Sequence, residues 1–388
     1  MANEELAQLF YRRFGNQPRL FYAPGRVNLI GEHTDYNEGF VLPFAIDSGT
    51  TVAAATRTDR RVHVHSLNQS ESAEFNLDDA WTASRHVWVD YVEGMARSLE
   101  NVGLRLAGAD LLVQSDVPMG AGLSSSAALE ISVGIAMCEI SHLSVDPMTL
   151  IRSAHHAETK YVGTQSGIMD PYVSMLAKAG SCLLIDCRSL ESSAIPLVLG
   201  DFAILIADTG IKHSLSSSEY NLRREECWRG FQILKRRFPD AQSLRDISLA
   251  QFLLGKDDLP FVTQKRCRHV ITENQRTLKA ADALLRQDLL ALGVLMGESH
   301  QSLRLDYEVT ISELDLLVDR ARPQEGVLGS RMTGGGFGGS TITLLKRSSV
   351  PDVERSVGRA YHDAFGAFPT FRLATPGNGA RELQWQST

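Results

Sequence analysis

The stretch "PMGAGLSSSAALE", residues 118–130, sets two glycines and three consecutive serines between a strand-like run, "LLVQ" (111–114), and a long apolar segment. Residues 127–140 are apolar almost all round, the pattern of a helix buried on every side. Strand, glycine turn and buried helix together suit an anion: glycines let the backbone come close, while unpaired N–H groups and the helix dipole face negative charge. The same residues also fit a plain turn with a serine N-cap, and the loop alone does not separate the two. It is not GxxxxGK[ST] and brings no lysine to phosphates, which argues against a P-loop nucleotidase; the HRD and DFG motifs of protein kinases are absent.

Two further segments give the loop company. "APGRVNLIGEHTDYNEGFVLP" (23–43) packs Arg26, Asn28, Glu32, His33, Asp35 and Tyr36 into what reads as a loop between Pro and Gly. Such density of hydrogen-bonding side chains suits a polyhydroxylated ligand, each hydroxyl needing a placed donor or acceptor; a polar surface turn is the plainer alternative. "GSRMTGGGFGGST" (329–341) carries Gly334, Gly335, Gly336, Gly338 and Gly339. These either wrap a nucleotide phosphate from the other side or permit tight packing of sheet on helix.

The chain around them is globular. Its 388 residues exceed what one core usually fills, so two lobes are expected, 1–195 and 196–388, with the closing segment "FPTFRLATPGNGARELQ" (368–384) free to return to either. With 43% hydrophobic and 22% charged residues, disorder and fibrous classes are excluded. A net charge of −7, with only "LKRRF" (234–238) and "QKRCRH" (264–269) as basic pieces, leaves no nucleic-acid footprint; both read as solvated helix faces. The acidic N-terminus lacks a signal-peptide pattern, and no apolar run nears the roughly 20 residues of a membrane span. Five cysteines without CxxC spacing suggest buried free thiols and a cytoplasmic protein.

Helical spacing of Leu6, Leu9, Phe10 and Phe14 predicts a first helix, and "LFYAPGRVNLIGEH" a strand broken at Pro24 and Gly25. "TTVAAATRTDRRVHVHSL" reads as two β segments, and Ser312 with Asp315 as a capping box for "ELDLLVDRA". The first half is β-rich and the second mixed, an α+β chain without fixed-period repeats.

In this order the three segments resemble the three motifs of the GHMP small-molecule kinases, and "GRVNLIGEHTDYN" resembles the galactokinase signature. The similarity runs on through "WVDYVEG" (88–94), "GIMDPYVSML" (167–176), "LLIDCRSLES" (183–192), "KHSLSSSEYNLRREEC" (212–227), "RHVITEN" (268–274) and "MGESHQSLR" (296–304), nearly the whole chain. The resemblance implies a two-lobed fold with mixed sheets, the site in the inter-lobe cleft, and ATP- and magnesium-dependent phosphorylation of the anomeric hydroxyl of galactose. By match to the motifs, Asp170 is the catalytic aspartate and Arg26 its partner. A carboxylate beside the sugar hydroxyl accepts its proton, and an adjacent arginine keeps it ionised and offsets transition-state charge. Without the motif, Asp170 reads as a helix cap or a surface carboxylate.

Galactose-binding positions fall on Glu32, His33, Asp35, Gly167 and Tyr220; the phosphate cradle on Gly120, Ala121, Gly122, Leu123, Ser124, Ser125, Ser126 and Ala127; and magnesium on Ser126 and Glu158. Trp88 and Tyr91 fall where the family builds its adenine pocket, or are core aromatics at a helix start. His155 and His156 are assigned no role. Two departures stand out: Pro171 where many galactokinases carry glutamine, and Ser340 where cysteine is common. The alternatives are a kinase of another galacto-configured sugar (N-acetylgalactosamine, galacturonate or arabinose) and a non-catalytic regulator binding ATP and galactose. No obligate protein partner is implied, and a monomer is expected.

Overall fold

The computed structural model describes residues 3–211 and 216–384, so residues 212–215 of the segment 212–227 lie outside the described residues. The elements of the first half are α1 (Asn3–Phe14), β1 (Arg19–Asn28), β2 (Phe40–Val41), β3 (Pro43–Thr56), β4 (Arg61–Ser66) and β5 (Glu71–Asn76). These lead to α2 (Val89–Asn101), β6 (Ala109–Ser115), α3 (Ser125–Ile140), α4 (Pro147–His156), α5 (Met169–Leu176), β7 (Ser181–Asp186) and β8 (Glu191–Pro196). Then come β9 (Phe202–Asp208), α6 (Ser216–Arg237), α7 (Leu249–Gly255), α8 (Phe261–Leu285), α9 (Leu289–Ser302) and α10 (Ser312–Ala321). The chain closes with β10 (Val327–Thr333), β11 (Ser340–Lys346), α11 (Val350–Phe365), β12 (Thr370–Ala374) and β13 (Arg381–Leu383).

A six-stranded sheet, ordered β13-β1-β3-β6-β4-β5, anchors the first lobe; only β4 and β6 run parallel. A four-stranded antiparallel sheet, β10-β11-β9-β12, anchors the second, and β2-β7-β8 form a small third sheet. Helix α3 lies against β1 and β3 on one side and α2, α4 and α5 on the others. That enclosure is why its sequence is apolar all round, and it fixes the segment that follows the glycine-serine loop. Among the described residues no helix is long and apolar enough to cross a membrane.

Strand β1 differs from expectation in a way that matters for the site. Pro24 and Gly25 do not break it but form a bulge in its pairing with β3 between Pro24 and Arg26. Proline has no N–H to lose from the ladder, and a Cβ on Gly25 would lie 2.6 Å from the Leu123 carbonyl oxygen, so glycine is required for the approach. The freed backbone bonds to the glycine-serine loop instead, Arg26 N–H donating to Leu123 O at 3.0 Å. Arg26 and Asn28 are therefore strand residues, not loop residues.

Two smaller expectations are also corrected, and the reading of His155 and His156 is kept. Segment 264–269 is not a solvated face: Arg266, Cys267 and His269 are buried, and Arg266 pairs with Glu226 at 2.8 Å. No capping box forms at Ser312, which is already the first helical residue of α10; its hydroxyl donates to Glu313. His155 and His156 serve packing and hydrogen bonding, to the Ser166 carbonyl and the Ser98 hydroxyl. All five cysteines are free and buried.

Candidate active site

Asp170 stands in the first turn of α5 and faces Arg26 on β1 across the mouth of the cleft. The guanidinium grips the carboxylate with both ends of one edge, Nε to Oδ1 at 2.7 Å and Nη2 to Oδ2 at 2.8 Å. Its third nitrogen, Nη1, donates to the Gly122 carbonyl at 2.6 Å. One arginine, 5% exposed, thus ties the aspartate to the glycine-serine loop, and this fork geometry is beyond a lysine. Ser124 completes the group by donating its hydroxyl to Asp170 Oδ2. It is held left-handed, φ 61°, just before α3, so its side chain turns to the aspartate and does not cap the helix. Pro171, the next residue, is buried in the same first turn, where a missing N–H costs nothing, and is absent from the cavity lining.

Beside Asp170 opens a cavity of about 330 Å³, lined among others by Glu32, His33, Asp35, Gly167 and Tyr220. Every galactose-binding position named from sequence is therefore gathered on one wall set. Gly167 must be glycine, since a Cβ there would overlap the Asp35 carboxylate. Burial, and then the neighbouring Asp170, push the Asp35 carboxyl up to about 6. His33 sits among Tyr36, Tyr220 and Tyr307, with ring centroids 5.8, 5.3 and 4.6 Å away. Its Nδ1 meets the Tyr36 hydroxyl at 2.7 Å, and burial pushes its pKa well down, so the imidazole is neutral. Glu32, 2% exposed, is paired with Arg331 and accepts from the Gly334 N–H at 3.1 Å.

The glycine-serine loop closes the other end. Gly120 and Gly122 have φ of 77° and 72°, and no side chain caps α3, so its first N–H groups are free to meet an anion. Ser126 Oγ donates to Glu158 Oε1 at 3.2 Å, and Ser166 donates to Oε2 at 2.5 Å. Glu158 lies on a π-helical turn, Ala157–Val162, a device common at functional sites. Burial raises its carboxyl to about 7. Trp88 and Tyr91 line a second cavity, about 400 Å³, which shares Tyr91, Ser125 and Ser126 with the first. Trp88 is half-buried against the core and also faces this cavity.

The third motif packs against the cradle, and its Gly334 and Gly335 also line the cavity. A Cβ at Gly334 would lie 2.8 Å from the Gly122 carbonyl oxygen, and one at Gly339 would lie 3.0 Å from that of Ala121. Ser340, in place of the usual cysteine, donates its hydroxyl to Ala121 O at 2.7 Å. Five groups escaped sequence reasoning: Arg331, Glu273, Tyr307, Ser166 and the Ser124–Asp170 contact. Arg331 and Glu273 carried a signal, since each is a charge in a segment that must pack, "GSRMTGGG" and "RHVITEN".

Two motifs meeting over a phosphate cradle and a third bracing it define a small-molecule kinase of the GHMP type. Residues 90–178 match the family model for the GHMP kinase N-terminal domain and residues 280–363 that for the C-terminal domain; residues 8–56 match the galactokinase galactose-binding signature. A galactokinase of Roseiflexus sp. (strain RS-1) is 43% identical over 376 residues, 97% of this chain and 96% of the relative. One of Exiguobacterium sibiricum is 42% identical over 389 residues, 99% of each. The crystal structure of Lactococcus lactis galactokinase complexed with galactose superposes with a TM-score of 0.95 at 37% identity, covering 98% of this chain and 99% of that one. The chain belongs to the galactokinase family.

Proposed function

We infer that the protein transfers the γ-phosphoryl group of ATP to the anomeric hydroxyl of galactose. The observation that carries the residue roles is the two-pronged Arg26–Asp170 pair at the junction of a sugar-sized cavity and an anion cradle. In the reaction the sugar O1 bonds to the γ-phosphorus while the bond from that phosphorus to the bridging oxygen breaks. The proton of O1–H passes to the Asp170 carboxylate, and ADP departs with the bridging electron pair. Arg26 holds Asp170 in place and, through Gly122, keeps it in register with the cradle; its charge also offsets that of the transferring group.

Asp35, His33, Glu32 and Tyr220 orient the sugar, and the helix α3 N-terminus with Gly120–Ala127 receives the phosphates. The adenine base lies against Trp88 and Tyr91. Ser126 and Glu158 fit a magnesium ion: one hydroxyl and one carboxylate leave the other positions to water and phosphate oxygens. Among the described residues no cluster of three or more His, Cys, Asp or Glu is placed to hold a metal alone, so such an ion depends on the nucleotide. Bound there, it neutralises charge on the β- and γ-phosphates. All these groups come from one chain, so the reading needs no second subunit.

The test is ATP-coupled turnover with magnesium across galactose, N-acetylgalactosamine, glucose, galacturonate and arabinose. Fast turnover of galactose with glucose inert is expected. Binding of galactose and ATP without turnover overturns the kinase reading in favour of a regulator.

A further inference from the structure

Behind Glu32 lies a buried ionic network that the reaction itself does not use. Arg331, on β10, is wholly buried and faces two carboxylates, Glu32 and Glu273 of α8, the latter at 3.7 Å. Its guanidinium is pinned by the carbonyl oxygens of Asn28 and Leu29 at 3.3 and 3.1 Å and by Ser299 Oγ at 3.0 Å. Glu273 in turn accepts the Gly31 N–H at 3.1 Å and the Ser299 hydroxyl at 2.5 Å, and pairs with Arg276 at 2.7 Å. Burial works to raise both acids. Arg276, His269 and Arg331 nevertheless hold Glu273 down at about 2. The network therefore fixes both the backbone of the sugar loop, through Gly31, and the carboxylate that the loop presents.

A carboxylate offers about four acceptor positions. On Glu32, Arg331 faces Oε2 and the Gly334 N–H donates to Oε1 at 3.1 Å, while the Thr333 hydroxyl, 3.4 Å from Oε1, gives its one proton to the Asn28 carbonyl at 2.9 Å. Glu32 itself lines the cavity. A buried charged network of this kind costs desolvation that an apolar core would not, and register is the best-attested return on that cost. We propose that Arg331 is a positioning residue for sugar selectivity: it fixes the orientation of the Glu32 carboxylate, and so which sugar hydroxyl that carboxylate reads. This rests on the assignment of Glu32 to the sugar site.

The experiment is a kcat/KM panel of 2-, 3-, 4- and 6-deoxygalactose on the wild type, Glu32→Gln, Arg331→Met, Arg331→Lys and the Glu32→Gln/Arg331→Met double variant. In the wild type one deoxy position pays a penalty on the order of a hundredfold or more, because a buried acceptor is left unmade. In Arg331→Met that penalty shrinks to a few-fold, the galactose KM rises more than kcat falls, and the KM for ATP holds. Arg331→Lys restores part of the penalty, and the double variant matches Glu32→Gln. Equal losses on all four deoxysugars in Arg331→Met, or an ATP KM that moves with that of galactose, overturn the proposal and leave Arg331 a structural group. If Arg331→Met does not fold, Arg331→Lys decides: an unchanged penalty profile overturns it. Should Glu32→Gln also leave every penalty unchanged, the sugar assignment fails and takes the proposal with it.

Discussion

The two proposed ends of the cleft, one for sugar and one for phosphate, are made of different material. The sugar end is side chains locked by one another: Glu32 by Arg331, Asp35 by its own loop and Gly167, and His33 among three tyrosines. The phosphate end is mostly backbone, glycines and helix N–H groups, braced by a second glycine loop. Chemistry explains the split. A sugar is told from its epimers by the direction of each hydroxyl, which requires individually aimed partners; a polyphosphate presents the same oxygens in every nucleotide and needs only close approach and positive potential. Substitutions should therefore separate cleanly into selectivity and affinity effects, except at the Arg26–Asp170 joint between the two ends.

That joint gives the largest expected effect. Asp170→Asn should lower kcat by on the order of a thousandfold or more while galactose affinity, read by calorimetry, changes little. Unchanged turnover removes Asp170 from the mechanism. Next come two glycines, one per end. Gly167→Ala should raise the galactose KM about tenfold or more, since the new Cβ overlaps the Asp35 carboxylate. Gly334→Ala places a Cβ 2.8 Å from the Gly122 carbonyl oxygen at a φ of 86° and should raise the ATP KM instead. If each raised both constants equally, the two-material division would be wrong.

A pH series sharpens the same comparison. Glu158 is raised to about 7 and Asp35 to about 6, so both are protonated below those values and ionised above them. At subsaturating magnesium, activity should fall as pH drops through about 7, up to about tenfold per unit, and saturating magnesium should move this limb to lower pH by competing with the proton. The galactose KM should rise only below about 6. A magnesium dependence indifferent to pH between 6 and 8 would detach Glu158 from the metal. The smallest effect is Ser340→Cys, which trades the hydroxyl donated to Ala121 for a weak thiol donor. It should cost about 1 kcal/mol or less and lower Tm by a degree or two in calorimetry, with the galactose KM untouched.

Legibility in the sequence followed the same divide. The two glycine loops were readable because glycines cluster only where backbone must bend or approach closely, and with the polar segment 23–43 the three segments in order are specific where one is not. Individual sugar-end residues were readable once their segment was placed by resemblance. What failed to show was anything decided by tertiary enclosure. Arg331 and Glu273 stand as charges in segments that must pack, but that they meet each other is decided only when β10 and α8 are packed together, and the Arg26 strand looked like a loop because Pro24 and Gly25 signal a break when partners are unseen. Glu130 is the sharpest case. In "SSAALE" it resembles a polar interruption, yet it is wholly buried in α3, neither oxygen has a hydrogen-bond partner, and burial beside Glu158 and Asp170 pushes its carboxyl well up. At Glu130 the helix is buried although its residue is acidic, whereas Glu139, one residue from its end, is exposed.

Strand β13 has a consequence for how the protein is made. It pairs with β1, Leu20 opposite Leu383, and Arg19 grips Glu382 at 2.7 Å, while the Gly377, Gly379 and Ala380 N–H groups lace onto Ala45, Ala177 and Ser174. The strand that carries Arg26 is thus an edge strand until the last sheet residues arrive, some 360 positions later by the pairing of residues 20 and 383. On the ribosome the first lobe emerges with that edge open and waits for its final strand. The catalytic joint is assembled early in sequence but latched only once residues 377–383 have been synthesised.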